Sequence, residues 1–185
     1  MIRLRIALLF SLGFAVMTAA GWMGFPAMLY RTEQQPLDFN HRVHKDKAAQ
    51  KCSDCHALGA DGNFAGIPPL ANCSACHAAP MGATANEKVL IANWVQPGRE
   101  LPWLSYAGQP MNVRFSHSLH VTLAKLRCEE CHGAHGDSAK LAAHQQDRIS
   151  GYNRSDDKGR ALTMSDCEDC HRRHGVTAGC LGCHK

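Results

Sequence analysis

All ten cysteines of this 185-residue chain fall into C-x-x-C pairs, and each of the five pairs is followed at once by a histidine. They are Cys52 and Cys55 before His56, Cys73 and Cys76 before His77, Cys128 and Cys131 before His132, Cys167 and Cys170 before His171, and Cys180 and Cys183 before His184. Histidine makes up 12 of 185 residues, so its appearance after every pair has odds of about one in a million by chance. Zinc would use such pairs two by two, and five leave one over. Disulfides have no use for the following histidine. C-x-x-C-H is the attachment pattern of c-type haem, in which two thiols bond the porphyrin vinyls and the adjacent imidazole ligates iron. The spacing therefore predicts five covalently bound haem c groups.

Composition agrees. Aromatic residues are 6% of the chain, and the 45% hydrophobic content includes both the cysteines and one long apolar run at the N-terminus. From residue 31 onward, 155 residues serve five motifs, one per 31 residues. Side chains alone make a thin core at that ratio, so porphyrin faces must supply most of the buried apolar area. This excludes a plain α/β enzyme or a β-sandwich. The expected fold is mostly short helices and loops packed around haems, plus one N-terminal transmembrane helix. The formal charge of +4 is too weak and dispersed to point to nucleic acid. Residues 31–185 carry 18 Lys and Arg against 16 Asp and Glu, and ten ionised propionates would take that part to about −8.

Arg3 and Arg5 precede an uncharged stretch from Ile6 to Tyr30, closed by Arg31. A basic start followed by apolar sequence directs export, and the stretch exceeds the roughly 20 residues that span a bilayer. The alternative is a cleaved signal peptide, for which Thr18-Ala19-Ala20-Gly21 offers small residues. The expected organisation is a signal-anchor over 1–31 in the inner membrane and a periplasmic pentahaem domain over 32–185. Within that domain, 39–80 would carry two haems and 115–185 three.

Seven histidines lie outside the motifs: His41, His44, His117, His120, His135, His144 and His174. Four of them form two copies of F-x-H-x-x-H. Phe39, His41 and His44 precede Cys52 by the same offsets as Phe115, His117 and His120 precede Cys128, and the copies stand 76 residues apart. A repeat at fixed offset argues for duplicated haem units. Histidines three apart share one face of a helical turn, close enough to serve two neighbouring haems. Phe39 and Phe115 fit either porphyrin contact or core. Met81, Met111 and Met164 are further possible iron ligands, although methionine is more often core. The polar stretch Lys140 to Arg160 reads as a long connection.

F-x-H-x-x-H ahead of C-x-x-C-H resembles the class III multihaem cytochromes c. The segments Ala65-Gly-Ile-Pro-Pro-Leu-Ala-Asn-Cys73, Leu101-Pro-Trp103 and Leu162-Thr-Met-Ser-Asp-Cys167 are similar to a narrower family, the multihaem cytochrome subunit of menaquinone reductase and of alternative complex III. The resemblance implies the axial pairs His56 with His41, His77 with His44, His132 with His117, and His171 with His120. The haem on His184 then draws on His135, His144 or His174. Two departures stand out: the menaquinone reductase cytochrome usually carries a sixth haem, and the histidine expected near Tyr106-Ala107-Gly108 is absent.

Bis-histidine ligation fills both axial positions and leaves no open site for substrate, and no hydrolytic or phosphate-binding constellation accompanies the motifs. The chain reads as an electron relay without catalytic residues of its own. The resemblance implies as partners a polytopic quinone-interacting membrane subunit, iron–sulfur or molybdopterin-type subunits and a soluble periplasmic cytochrome c. Two alternatives are a multihaem reductase with one open haem and a stand-alone anchored quinol dehydrogenase. The latter is disfavoured by the 21 residues between Tyr30 and Cys52.

Overall fold

The computed structural model describes residues 2–63, 65–153, 162–177 and 179–185. It opens with α1 (Ile2–Leu29), a helix exposed from Ile2 to Phe25. Its segment Ile2–Phe25 is 24 residues long with a mean hydropathy of 1.9. At 1.5 Å per residue that is about 36 Å, enough to cross a hydrocarbon core of about 30 Å. A helix apolar all round that packs on nothing suits lipid better than water.

The chain leaves α1 directly into strand β1 (Tyr30–Glu33), which pairs antiparallel with β2 (His144–Asp147) in the register Tyr30↔Asp147 to Glu33↔His144. Arg148 N–H adds a bond to Leu29 carbonyl at the helix end. The ladder thus ties the apolar helix to the rest of the molecule. β2 lies inside the stretch expected to be a connection; residues 154–160 of that stretch lie outside the described residues. The sequence His144-Gln-Gln-Asp147 has no apolar alternation to announce a strand. The arrival of β1 gives it a partner along its whole length.

Beyond β1 the elements are short: α2 (His41–Asp46), α3 (Cys52–Cys55), α4 (Leu70–His77), α5 (Ala85–Leu90), α6 (Cys128–His132), α7 (Met164–Arg173) and α8 (Cys180–Cys183). Single-turn π-helices at Ile91–Val95 and Ser118–Leu123 and a 3₁₀ turn at Gly133–Asp137 join them. Each start has a local reason. Asn40 Oδ1 accepts from Val43 N–H ahead of α2, and Thr84 Oγ1 accepts from Glu87 N–H ahead of α5. The acidic residue between the cysteines of a motif caps its own helix: Asp54 accepts from Lys51 N–H and Glu130 from Arg127 N–H. Among the described residues, buried apolar side chains pack into one small cluster, Leu37, Leu70, Leu90 and Leu101, with Cys73, Trp94, Val95 and Trp103 against it.

The 76-residue repeat is also a repeat of geometry. Gln50 N–H bonds His44 carbonyl, and Leu126 N–H bonds His120 carbonyl, at 3.1 and 3.0 Å. Ala49 and Lys125 occupy equivalent positions and share the left-handed conformation, with φ of 53° and 59°. The two copies also dock reciprocally. Ser118 N–H donates to Gly62 carbonyl at 2.8 Å, and Arg42 N–H donates to Ser138 carbonyl at 3.2 Å. Those four residues are two pairs of repeat equivalents, so each copy offers the other the same surface. That is the isologous contact of a two-fold axis, built here within one chain.

At Gly62 this docking requires glycine: φ is +67°, and a Cβ there would sit 2.6 Å from Ser118 Cβ. Gly98 has a similar φ of +65° but nothing within 4 Å. We expect Gly62→Ala to cost more than the roughly 1 kcal/mol of backbone strain that Gly98→Ala incurs. Thermal unfolding followed by circular dichroism should place the first below the second by about 2–4 °C or more. Equal melting temperatures would mean that the two copies do not depend on this contact.

Candidate haem-ligand sites

Four of the five motif histidines face a second imidazole. His41 and His56 have ring centroids 6.5 Å apart, His44 and His77 6.1 Å, His117 and His132 6.4 Å, and His120 and His171 6.2 Å. An imidazole nitrogen sits about 2.0–2.1 Å from a bound transition metal, as known for zinc. With the ring centroid about 1.1 Å further back, two imidazoles across one ion stand roughly 6.3 Å apart. The observed separations bracket that distance.

The rings are also oriented for the task. His44 and His120 bond through Nδ1 to the carbonyls of Asn40 and Ser116, both at 2.8 Å and again repeat equivalents. His56 Nδ1 bonds Gly66 carbonyl at 2.8 Å and His117 Nδ1 bonds Asn63 carbonyl at 2.7 Å. His41 Nδ1 meets Ser138 Oγ at 3.1 Å, and His77 Nδ1 meets Glu87 Oε1 at 2.9 Å. An oxygen acceptor at Nδ1 holds the proton there and presents Nε2 as the lone pair for a metal, the usual outer support of a ligating histidine.

Phe39 and Phe115 show what the first residue of F-x-H-x-x-H does. Phe39 stacks on His44 at 4.4 Å and meets His41 edge-on at 4.8 Å; Phe115 does the same to His120 at 4.6 Å and His117 at 4.8 Å. One phenyl ring therefore sets two imidazoles at right angles, each turned toward a different partner. The sequence left both readings of these phenylalanines open, because it shows spacing and not ring contact.

Burial and crowding favour the neutral form of His41, His132 and His135. Burial, then His135, His56 and His44, lowers His41 to about 4. Burial, then His117 and other imidazoles, lowers His132, and burial with His56 lowers His135. Neutral imidazole is the form that binds a metal. Glu87 is held below the ordinary carboxylate range by the Met81 amide foremost, with His77 and the Gly82 amide adding to it against the opposing cost of burial.

The cysteines reveal which motifs are neighbours. Burial raises the thiols of Cys52, Cys73, Cys131 and Cys167, and in each case a cysteine of another motif adds to it. Cys52 lies against Cys128, Cys73 lies near Cys55, Cys131 near Cys170 and Cys167, and Cys167 near Cys183. The motifs therefore run second, first, third, fourth, fifth. Asn72 Nδ2, bonded to Asp54 carbonyl at 3.2 Å, ties the second motif to the first.

The other expected ligands are placed differently. His184, in an isolated bridge with Val113, has no imidazole facing it among the described residues. His135 lies 4.8 Å from His41 and stacks with Tyr106 at 6.0 Å, so it belongs to the first motif's surroundings. Tyr106 occupies the place where family resemblance led us to expect a histidine. His174 is exposed at the end of α7. His144 is 9% exposed, and its buried Nδ1 has no hydrogen-bond partner. It lines a cavity of about 720 Å³ together with Glu33, Trp103, Met111 and Asn112. Met81, Met111 and Met164 are all exposed, none of them core.

Residues 24–98 match the class III cytochrome c family. Across 188 aligned positions, covering 95% of this chain and 89% of the relative, the sequence is 36% identical to the multihaem cytochrome c subunit of menaquinone reductase from Nitratidesulfovibrio vulgaris. The chain belongs to that family of multihaem cytochromes. It is thus an electron-transfer protein with covalently bound haem c. The residues fit the group: facing imidazoles at metal-bridging distance, cysteine pairs one helical turn ahead of four of them, and exposed apolar Val43, Leu119 and Leu181 within the ligand and attachment motifs. When bound, haem supplies a one-electron iron centre; the chain supplies spacing, axial ligands and local charge.

Ser138→Ala removes the Nδ1 partner of His41. We expect the oxidised variant to keep that haem low-spin while its electron paramagnetic resonance signal shifts or broadens, with the other signals unmoved. Spectra identical to the unaltered protein would show that Ser138 does not orient the ring.

Proposed function

We propose that this cytochrome is a membrane-anchored pentahaem relay, held by α1 with residues 32–185 on the periplasmic side of the inner membrane. It would pass electrons between a quinone-linked membrane complex and soluble periplasmic redox partners. The observation that carries the reading is the row of motifs, second to fifth by way of the first, with four pairs of imidazoles at 6.1–6.5 Å. Cys52, Cys55, Cys73, Cys76, Cys128, Cys131, Cys167, Cys170, Cys180 and Cys183 form the thioethers. His56 pairs with His41, His77 with His44, His132 with His117, and His171 with His120. Filled axial positions suit electron passage and leave no place for substrate, so the chain itself is no enzyme.

For His184 we assign His144 as the opposite ligand. It is the buried one of the three remaining histidines. Its cavity is walled in part by Met111 and Asn112, beside the backbone bonds that hold the C-terminus: Lys185 N–H to Asn112 carbonyl and Arg114 N–H to Cys183 carbonyl. The same observation favours a second reading. An unpaired His184 would leave one iron open, as a multihaem reductase needs. Magnetic resonance of the oxidised protein separates the two. Five low-spin haems that become four low-spin and one high-spin in His144→Ala support the assignment. A high-spin haem already present in the unaltered protein favours the reductase.

The relative is by name a subunit of menaquinone reductase, and its kinship suggests the complex. A polytopic quinone-interacting subunit would do the quinone chemistry. Iron–sulfur or molybdopterin-type subunits and a soluble periplasmic cytochrome c would be the other partners. Gentle solubilisation of native membranes, capture through a C-terminal tag and mass spectrometry should recover a polytopic subunit and an iron–sulfur protein. Recovery of the cytochrome alone would overturn the complex and bring forward the stand-alone quinol dehydrogenase.

A further inference from the structure

The 76-residue repeat makes the first and third motifs equivalent, and the second and fourth correspond as the motifs faced by His44 and His120. Cys52 touches its own repeat equivalent, Cys128. His44 faces His77 as its equivalent His120 faces His171. Two haem sites related in this way would have the same affinity for an electron unless their surroundings differ.

Among the described residues they differ in a buried carboxylate. His77 Nδ1 donates to Glu87 Oε1 at 2.9 Å, with the carboxylate 8% exposed. The amides of Met81 and Gly82 donate to the two oxygens of the same carboxylate, at 2.7 and 2.8 Å. Thr84 Oγ1 receives the Glu87 N–H at the start of α5. The carboxylate is therefore fixed from three sides and cannot swing into water. Among the described residues, the other Nδ1 acceptors of the paired histidines are neutral: four carbonyls and the hydroxyl of Ser138. His171, the counterpart of His77, has no such carboxylate among the described residues. A buried anion bonded to the far side of a ligating imidazole raises its basicity. A more basic, more electron-donating axial ligand stabilises the ferric iron, the more positive of its two states.

We propose that Glu87, acting through His77, lowers the potential of the second haem below that of its repeat mate, the fourth, and so breaks the symmetry of an otherwise duplicated path. The step it biases is one electron onto one iron; Glu87 stays ionised and no bond forms or breaks. Because the second motif stands at one end of the row, the bias gives the path a low-potential terminus.

This inference rests on the axial pairing proposed above, and its test separates the two. Redox titration of the full chain followed in the visible haem bands should resolve a component that disappears in a variant carrying Cys73→Ala and Cys76→Ala. In Glu87→Gln that component should rise by about 59 mV or more, a tenfold change in its one-electron equilibrium, while the others hold. Glu87→Asp, which keeps the charge, should shift it less. Unmoved midpoints in a Glu87→Gln protein with five low-spin haems would overturn the proposal. A second haem that is high-spin in the unaltered protein would instead overturn the pairing of His77 with His44. Should Glu87→Gln fail to assemble, near-infrared magnetic circular dichroism of the unaltered protein decides. One low-spin centre with its charge-transfer band displaced to higher energy supports the role of Glu87, and indistinguishable bands refute it.

Discussion

Two imidazoles held face to face at one spacing, four times over, form the constraint around which the molecule is arranged. The separations span only 6.1–6.5 Å although the partners stand between 15 and 51 residues apart. Almost every local feature serves that spacing. Carbonyls, a hydroxyl and one carboxylate pin Nδ1, phenylalanines set the ring planes, and acidic residues inside the motifs cap the short helices that carry the cysteines. A chain with so small an apolar cluster has little else to define its interior. Porphyrin surface, held covalently and axially, supplies what Leu37, Leu70, Leu90 and Leu101 cannot.

Duplication explains how a short chain builds several such sites. One F-x-H-x-x-H unit faces two motif histidines because histidines three apart lie on one helical turn, and the phenyl ring turns them to different partners. Two copies then meet across reciprocal bonds at Gly62 and Ser118, and at Arg42 and Ser138. An isologous contact of this kind brings the first and third motifs together at the centre and leaves the second and fourth outermost. The fifth motif extends one side only. The order along the path therefore departs from the order along the chain.

Symmetry alone gives a path no direction. What distinguishes the two ends is whatever does not repeat: the appended fifth motif, the β-ladder leading from the apolar helix, and the carboxylate of Glu87 behind His77. Charge placed at fixed distance from an iron is among the levers a protein has over a cofactor whose chemistry is its own. Glu87 is buried and bonded from three sides, which keeps water from screening it.

The covalent chemistry was legible in the sequence by itself. Attachment through C-x-x-C-H is local, so spacing alone identifies the five motifs, and a 76-residue offset alone identifies the two repeats. The apolar N-terminal helix is equally local, because its length and composition decide whether it can cross a bilayer. Which imidazole faces which was implied by family resemblance and not by any residue pattern. The short strand at His144–Asp147, the contact of Cys52 with Cys128 and the carboxylate behind His77 were not legible at all. Each joins segments far apart in the chain or across a turn with no periodic signal. Their partners are chosen by how the copies pack, and packing is a property of the folded whole.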